Sequence, residues 1–357
     1  QTRRAHNKSF TVDNQATILG GRNIGDEYFS RDPELDFQDV DVLVAGPAAQ
    51  QVSASFDDYW NHELSYPISL LVEQQPTEAE VAEIRDQFDE KLKGMSSSEY
   101  IQRLVSSDLA DSFRNGTIVW HWGEGKVYAD PPDKLLRDTG DAAYRMTVDI
   151  APYLEATEKE LIILSPYFVP GKGGVAFLKK IREKGVRVRI LTNSLASNDV
   201  AIVHAGYSRY REDLLRAGVE LYELNKITSK DERKALKQGN IGTSKSSLHA
   251  KAFVMDRDKL FVGSLNLDPR SVVQNTEIGV VFQSAEIATK AARGFDERID
   301  DAAFRLELVT DENGRERLLW HGRINGEQTT LDQEPHTSFW RRLSIGLMKW
   351  MPIESQI

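Results

Sequence analysis

His249-Ala250-Lys251-Ala252-Phe253-Val254-Met255-Asp256, followed after six residues by Gly263-Ser264-Leu265-Asn266, is the stretch on which the fold turns. It has a counterpart near the start of the chain: His6-Asn7-Lys8-Ser9-Phe10-Thr11-Val12-Asp13, followed after six residues by Gly20-Gly21-Arg22-Asn23. His, Lys, Phe, Asp, Gly and Asn recur without a gap at a constant offset of 243 positions, from 6 to 249. Self-similarity of this kind predicts a doubled architecture. Side-chain alternation predicts a strand through the second copy, with His249 and Lys251 on one side and Leu248, Ala250, Ala252 and Val254 on the other. A strand built only for packing gains nothing from imidazole beside ammonium, and here the pair occurs twice.

Upstream of the second copy the pattern alternates between strand and helix. Leu161–Leu164 reads as a strand, Val175–Lys184 as a helix closed by Gly185, and Val186–Ile190 as the next strand. Val200–Ala217 reads as a helix capped by Gly218, and Val219–Glu223 as a third strand. Strands joined by helical crossovers predict an α/β fold of two pseudo-symmetric halves, each a β-sheet flanked by helices, with the site at their interface. Between the copies, Glu78–Lys93 reads as a charged amphipathic helix, and Ser96–Ser98 as the cap of a helix over Glu99–Phe113. The Pro131-Pro132 pair punctuates the chain. The expected division is a first half over residues 1–135, a second over 136–335 and an amphipathic tail over 336–357. About 90 residues of strand–helix structure precede the second motif and only five residues precede the first, so the first half is expected to lack its upstream part.

The 357 residues carry 45 Lys+Arg against 55 Asp+Glu, a formal net charge of −10, and 40% are hydrophobic. That is ample length for one large or two medium domains, and no run of about 18 apolar residues is present to span a bilayer. The negative balance argues against coating nucleic acid through a broadly basic surface, so no nucleic-acid partner is expected. With no cysteine there is no disulfide, thiolate metal site or cysteine nucleophile. Gln1–Ala5 show no basic start leading into an apolar stretch, so no signal peptide is visible there.

Two imidazoles, two ammonium groups, two Asn side chains and the Ser264 hydroxyl, gathered at one interface, suit a phosphodiester. Lys8, Lys251, Asn23, Asn266 and Ser264 would hold the nonbridging oxygens, whose charge spreads in the transition state. One imidazole can attack phosphorus while the other, protonated, donates to the leaving alkoxide; the two then exchange roles. An imidazole pKa near 6.5 keeps both protonation states accessible. No metal and no cofactor is expected, because the lysines already supply positive charge and would repel a cation. Spacing alone does not say which histidine is the nucleophile.

These residues resemble the phospholipase D superfamily, whose signature, His-x-Lys-x4-Asp-x6-Gly-(Ser/Gly)-x-Asn, occurs twice. Gly20-Gly21-Arg22-Asn23, Ser165-Pro166-Tyr167-Phe168, Asn193-Ser194 with His204, and Leu267-Asp268-Pro269-Arg270-Ser271 look like the bacterial cardiolipin synthases within it. The resemblance covers essentially the whole chain. It implies His6 as nucleophile through a phosphohistidine and His249 as general acid/base. It also implies a carboxylate after each motif to orient its imidazole: Glu277 after the second and Asp39 after the first, with Asp41 the alternative to Asp39. Asp13 and Asp256 lie too far along the chain from the lysines to join them and read as structural. Gly21 stands where the second copy has Ser264, so the halves are chemically unequal.

Tyr167, after a strand end, and His204, on a helix, either line the acceptor channel or serve packing. The basic run Lys226–Lys245 either is a solvated loop or attracts anionic headgroups. In Phe339–Ile353, the spacing of Trp340, Leu343, Leu347 and Trp350 fits a surface helix packed on the core or one lying in the headgroup layer. The resemblance implies a bacterial enzyme associated peripherally with the cytoplasmic membrane. It would transfer a phosphatidyl group from phosphatidylglycerol or phosphatidylethanolamine to phosphatidylglycerol. The alternatives are a phosphodiesterase hydrolysing lipid, less readily nucleic acid, and an inactive membrane-binding scaffold.

Overall fold

The computed structural model describes residues 3–29, 35–72, 74–138, 140–225 and 245–349. The basic run at 226–244 and the end of the chain from Trp350 lie outside them. Two compact units are formed, one from Gln1–Asp58 with Gly123–Ile357 and the other from Tyr59–Trp122.

The larger unit holds both motifs. Its first motif runs into β1 (Ser9–Val12) and β2 (Ala16–Gly20); β3 (Leu35–Gln38) and β4 (Asp41–Ala45) follow. β1, β2 and β4 make a three-stranded antiparallel sheet in that order. After β5 (Glu124–Ala129) come the three strands expected upstream of the second motif: β6 (Glu160–Leu164), β7 (Arg187–Asn193) and β8 (Glu220–Leu224), all parallel. Leu161, Ile162, Val188, Ile190 and Leu221 in them are fully buried, as strands covered on both faces require. Next follow β9 (Lys245–Leu248), β10 (Ala252–Met255), β11 (Lys259–Gly263), β12 (Ile278–Gln283), β13 (Ala303–Thr310), β14 (Glu316–Ile324) and β15 (Glu327–Leu331). The large sheet has ten strands in the order β15-β14-β13-β8-β7-β6-β10-β11-β12-β5. β5 precedes Pro131 yet pairs with β12, so the sheet of the second motif recruits a strand from residues assigned by sequence to the first half.

Helix ends follow their caps. The helix Gly171–Glu183 closes through Gly185, whose φ of +90° and N–H bond to the Arg182 carbonyl make it the expected C-terminal stop. The helix expected over Val200–Ala217 is two, Ala201–Ser208 and Arg211–Arg216. The turn at Arg209–Tyr210 lets Arg211 drop into the interior onto Glu223 at 3.0 Å. The smaller unit carries Glu78–Ser96, opened by a Thr77/Glu80 capping box. There the helix expected over Glu99–Phe113 is likewise two, Glu99–Val105 and Asp108–Asn115. Ser107 interrupts it, because its hydroxyl accepts the Ala110 N–H and caps a new start.

The expected continuous strand through His249–Val254 is also interrupted. β9 ends at Leu248 and β10 begins at Ala252, so His249, Ala250 and Lys251 lie between strands. β9 pairs in parallel with β3 instead of with the large sheet. The N–H groups of His249 and Ala250 both donate to the Gln38 carbonyl, at 2.8 and 3.0 Å. Two donors on one acceptor break the ladder there.

Candidate active site

The two motifs enter the site by the same local device. In the first, Ala5 bridges Thr276 in parallel and the His6 N–H donates to the Thr276 carbonyl at 3.0 Å. In the second, β9 lies along β3 and the His249 N–H donates to the Gln38 carbonyl. In each case the residue following that carbonyl is the carboxylate, Glu277 or Asp39. The pairing is therefore crossed. His6 Nδ1 lies 2.8 and 3.0 Å from the Glu277 oxygens, and His249 Nδ1 lies 2.7 Å from Asp39 Oδ2. The sequence reading gave each imidazole the carboxylate after its own motif; the fold gives it the carboxylate of the other. Asp41, the alternative to Asp39, is engaged with Arg22 Nε at 2.5 Å.

The lysines curl back over their own histidines. Lys8 Nζ donates to the His6 carbonyl at 2.7 Å and Lys251 Nζ to the His249 carbonyl at 2.5 Å, with the His249 ring nitrogens 3.0 and 3.2 Å away. Burial pulls both ammonium groups down, Lys8 to about 8 and Lys251 to about 7, against the opposing pull of Glu277 and Asp39. Each lysine feels both carboxylates, and Lys8 depresses both Lys251 and His249. The motifs thus converge on one electrostatic environment. His249 is lowered to about 4, first by burial and then by Lys251, against the pull of Asp39. The His249 side chain is 6% exposed and that of His6 23%.

The Ser264 hydroxyl is turned toward a carboxylate. It donates to Glu277 Oε2 at 2.5 Å and accepts the Ile278 N–H at 3.0 Å, so it positions the carboxylate that positions His6. The corresponding Gly21 is glycine for a steric reason. A Cβ there would lie 2.6 Å from Asp39 Oδ1 and 3.0 Å from Lys251 Cδ. The Asn266 amide donates to Ser271 Oγ at 3.3 Å and that of Asn23 to the Tyr28 hydroxyl at 2.6 Å.

Tyr167 donates to both Asp199 oxygens, at 2.9 and 2.8 Å, and burial raises its pKa. His204 is not an open channel residue. It is fully buried, with Nε2 3.2 Å from Glu334 and its ring edge-on to Tyr207. The signature aspartate Asp256 accepts N–H bonds from Glu158, Lys159 and Glu160, an anchor for the start of β6.

Sequence reasoning missed Asp130, Lys134, Phe37 and Tyr28. Asp130 accepts the Glu277 N–H at 2.8 Å while paired at 2.8 Å with the buried Lys134, bracing Glu277 from behind. Phe37 and Tyr28 pack against the His249 ring at centroid distances of 5.1 and 5.0 Å. Only the tyrosine left a trace in the repeat.

Two oriented imidazoles with a buried ammonium group at Lys251 and a half-buried one at Lys8 suit nucleophilic displacement at an anionic phosphodiester. Comparison with known proteins agrees. Residues 150–299 match the family model described as cardiolipin synthase, PLD-like domain. Over 357 residues the chain is 39% identical to cardiolipin synthase C of Escherichia coli, covering 99% of this chain and 73% of that protein. It is 33% identical over 352 residues to an uncharacterized protein of Helicobacter pylori, covering 98% of this chain and 67% of the relative. Among solved structures it resembles the phosphatidylserine synthase of Haemophilus influenzae in fold. The TM-score is 0.52 at 16% identity, covering 85% of this chain and 62% of that one. The chain belongs to the cardiolipin synthase family of phospholipase D-like proteins.

Proposed function

We propose that this protein is a cardiolipin synthase that transfers a phosphatidyl group to phosphatidylglycerol through a phosphohistidine on His6. The observation that carries the reading is the crossed pairing of His6 with Glu277 and His249 with Asp39 around the buried Lys251 and the half-buried Lys8. With Nδ1–H held by Glu277, the lone pair of His6 lies on Nε2, directed away from the protein's own acceptor. Nε2 attacks phosphorus and the P–O bond to the leaving headgroup breaks. His249 Nε2 delivers the proton to the departing alkoxide, which leaves as glycerol from phosphatidylglycerol or ethanolamine from phosphatidylethanolamine. A glycerol hydroxyl of an acceptor phosphatidylglycerol then forms the new P–O bond, His249 takes its proton, and the P–N bond to His6 breaks.

The greater exposure of His6 supports its assignment as nucleophile, since it must reach bonding distance of phosphorus; the enclosed His249 needs only proton contact. The depressed pKa of His249 leaves it neutral in the unliganded site. An arriving phosphodiester anion raises it, and raises both lysines, by supplying the charge that burial has removed. Lys8 and Lys251 hold the nonbridging oxygens, while Glu277 and Asp39 stabilise the imidazolium forms.

No described helix is long and apolar enough to cross a membrane. The helix Phe339–Met348 seats Ile345 in the core and exposes Phe339, Trp340, Leu343 and Leu347. With Arg341 and Arg342 between them, that stripe suits the headgroup layer of the bacterial cytoplasmic membrane. The test supplies labelled phosphatidylglycerol vesicles, with and without phosphatidylethanolamine, in the presence of chelator. Chelator-insensitive cardiolipin is the expected product, its yield on adding phosphatidylethanolamine identifies the donor, and phosphatidic acid alone would reassign the protein as a hydrolase.

A further inference from the structure

The repeat extends beyond the signature. Carried on at the same offset, Tyr28 corresponds to Ser271, each a hydroxyl residue five positions after the motif asparagine. The structure gives the correspondence a physical content, because each asparagine amide donates to that hydroxyl: Asn23 to Tyr28 at 2.6 Å, Asn266 to Ser271 at 3.3 Å. The two then part. Ser271 is short and its oxygen is spent on Asn266, whereas the tyrosine carries its oxygen a ring's length further, to 3.5 Å from Nε2 of His249.

We propose that Tyr28 is a positioning residue whose hydroxyl caps the reactive nitrogen of His249 and thereby favours an alcohol over water as the acceptor. The proposal rests on the reading of His249 as the group that exchanges protons with leaving and entering alcohols. Nδ1 of that ring is bound to Asp39, so Nε2 carries the lone pair, which the tyrosine O–H meets at 3.5 Å beside the Lys251 ammonium at 3.2 Å. Burial raises the Tyr28 pKa, so the hydroxyl keeps its proton, and the Asn23 amide fills one of its acceptor positions and leaves that proton to donate. The ring is clamped between Phe37, 4.8 Å away, and the edge of His249, and the side chain is 7% exposed. Among the described residues, the titratable and charged groups acting on His249 are Asp39, Lys251 and Lys8, with Tyr28 the hydroxyl at Nε2 and Phe37 against the ring.

In the second step the acceptor must take the place of the tyrosine on Nε2, give up its proton there and bond to phosphorus as the P–N bond breaks. A lipid alcohol brings binding energy from its remote parts to that exchange; water brings none. Replacing the hydroxyl by nothing leaves a space of about one water beside Nε2, where water can be activated at no displacement cost and the product is phosphatidic acid.

Tyr28→Phe keeps the ring and removes the hydroxyl, and with it both the contact to Nε2 and the acceptor of the Asn23 amide; the His249 titration reads the first of these. With the full chain and phosphatidylglycerol vesicles, the ratio of phosphatidic acid to cardiolipin is expected to rise about tenfold, with kcat for transfer lowered and KM unchanged. The pKa of His249, read by NMR of the imidazole in the same two proteins, is expected to rise, because a donor to the neutral ring has been lost. An unchanged product ratio, or an unchanged His249 titration in a variant with wild-type thermal unfolding, overturns the proposal. Wild-type protein that yields phosphatidic acid alone refutes the synthase reading instead. In that case the His249 titration still decides whether the hydroxyl acts on the ring.

Discussion

The half-sites built around His6 and His249 share the six recurring residues of the repeat and differ in nearly everything that surrounds them. His6 is part-exposed, held by the longer carboxylate Glu277, which is itself held by Ser264 and, through its backbone, by Asp130. His249 is enclosed, held by the shorter Asp39, capped by Tyr28 and crowded by Lys251. One methylene separates the carboxylates, and the fold answers it at the signature's small position: serine beside the glutamate, glycine where a Cβ would run into the aspartate. A repeat that is symmetric in sequence has become two unequal half-sites, one with a part-exposed imidazole and one with an enclosed imidazole.

The largest effects should come from the histidines themselves. His6→Ala and His249→Ala should each lower transfer by about 10⁴-fold or more, and acid-quench trapping of labelled enzyme should separate them. The His6 variant should form no phosphohistidine, while the His249 variant should accumulate one from a donor whose leaving group needs no proton. Label retained on His6→Ala would reverse the assignment of roles.

Next come the crossed carboxylates, at roughly 10²- to 10⁴-fold by analogy with other carboxylate-oriented imidazoles. Glu277→Gln should slow formation of the covalent intermediate, and Asp39→Asn its resolution, although each residue follows the motif whose histidine it does not serve. Rapid-quench kinetics showing the opposite assignment would break the crossed arrangement.

The lysines make a pH prediction with two opposite signs. Their folded pKa values, about 8 and about 7, lie below the ordinary 10.5. The charge that binds phosphate is therefore lost as pH rises through that range, and kcat/KM should fall with it. The unfolded chain holds more protons than the native one between about 7 and 10.5, so the contribution of these lysines to stability rises with pH across the same window. Thermal unfolding from pH 7 to 9 should move up, less so with bound inorganic phosphate; a Lys251→Met variant should flatten the slope.

The smallest effects belong to the small position. Gly21→Ser should displace Asp39 and cost about 10²-fold in resolution of the intermediate, while Ser264→Ala should cost about tenfold in its formation, removing one donor without adding a clash. Comparable losses in single-turnover assays would mean that the Gly/Ser difference does not track the two carboxylates.

Much of this was legible beforehand. The apolar run Leu161–Leu164 marked β6, the alternating stretches Val186–Ile190 and Val219–Glu223 marked β7 and β8, and Gly185 marked its helix end through the positive φ it adopts. The helices over 99–113 and 200–217 were read too long, since nothing local told Ser107 from an exposed mid-helix serine or showed that Arg211 had an interior partner. His204 carried no sign of the buried Glu334 contact that withdraws it from the site. Tyr28 could have been found by extending the offset five residues, had a tyrosine and a serine been counted as equivalent.

The histidines, lysines and asparagines, their double occurrence and hence the kind of chemistry were determined by the sequence alone, because a constant offset preserves residue type whatever the fold does. Which carboxylate pairs with which imidazole, that Ser264 bonds to Glu277, and that His249 is enclosed beside Tyr28 were decided only by tertiary structure. The imidazole–carboxylate pairs and the Tyr28 cap are contacts across more than two hundred residues of chain, made when Thr276 and Gln38 accept the backbone of the opposite motif. Spacing along the chain carries no record of a pairing that exists only once both strands have docked.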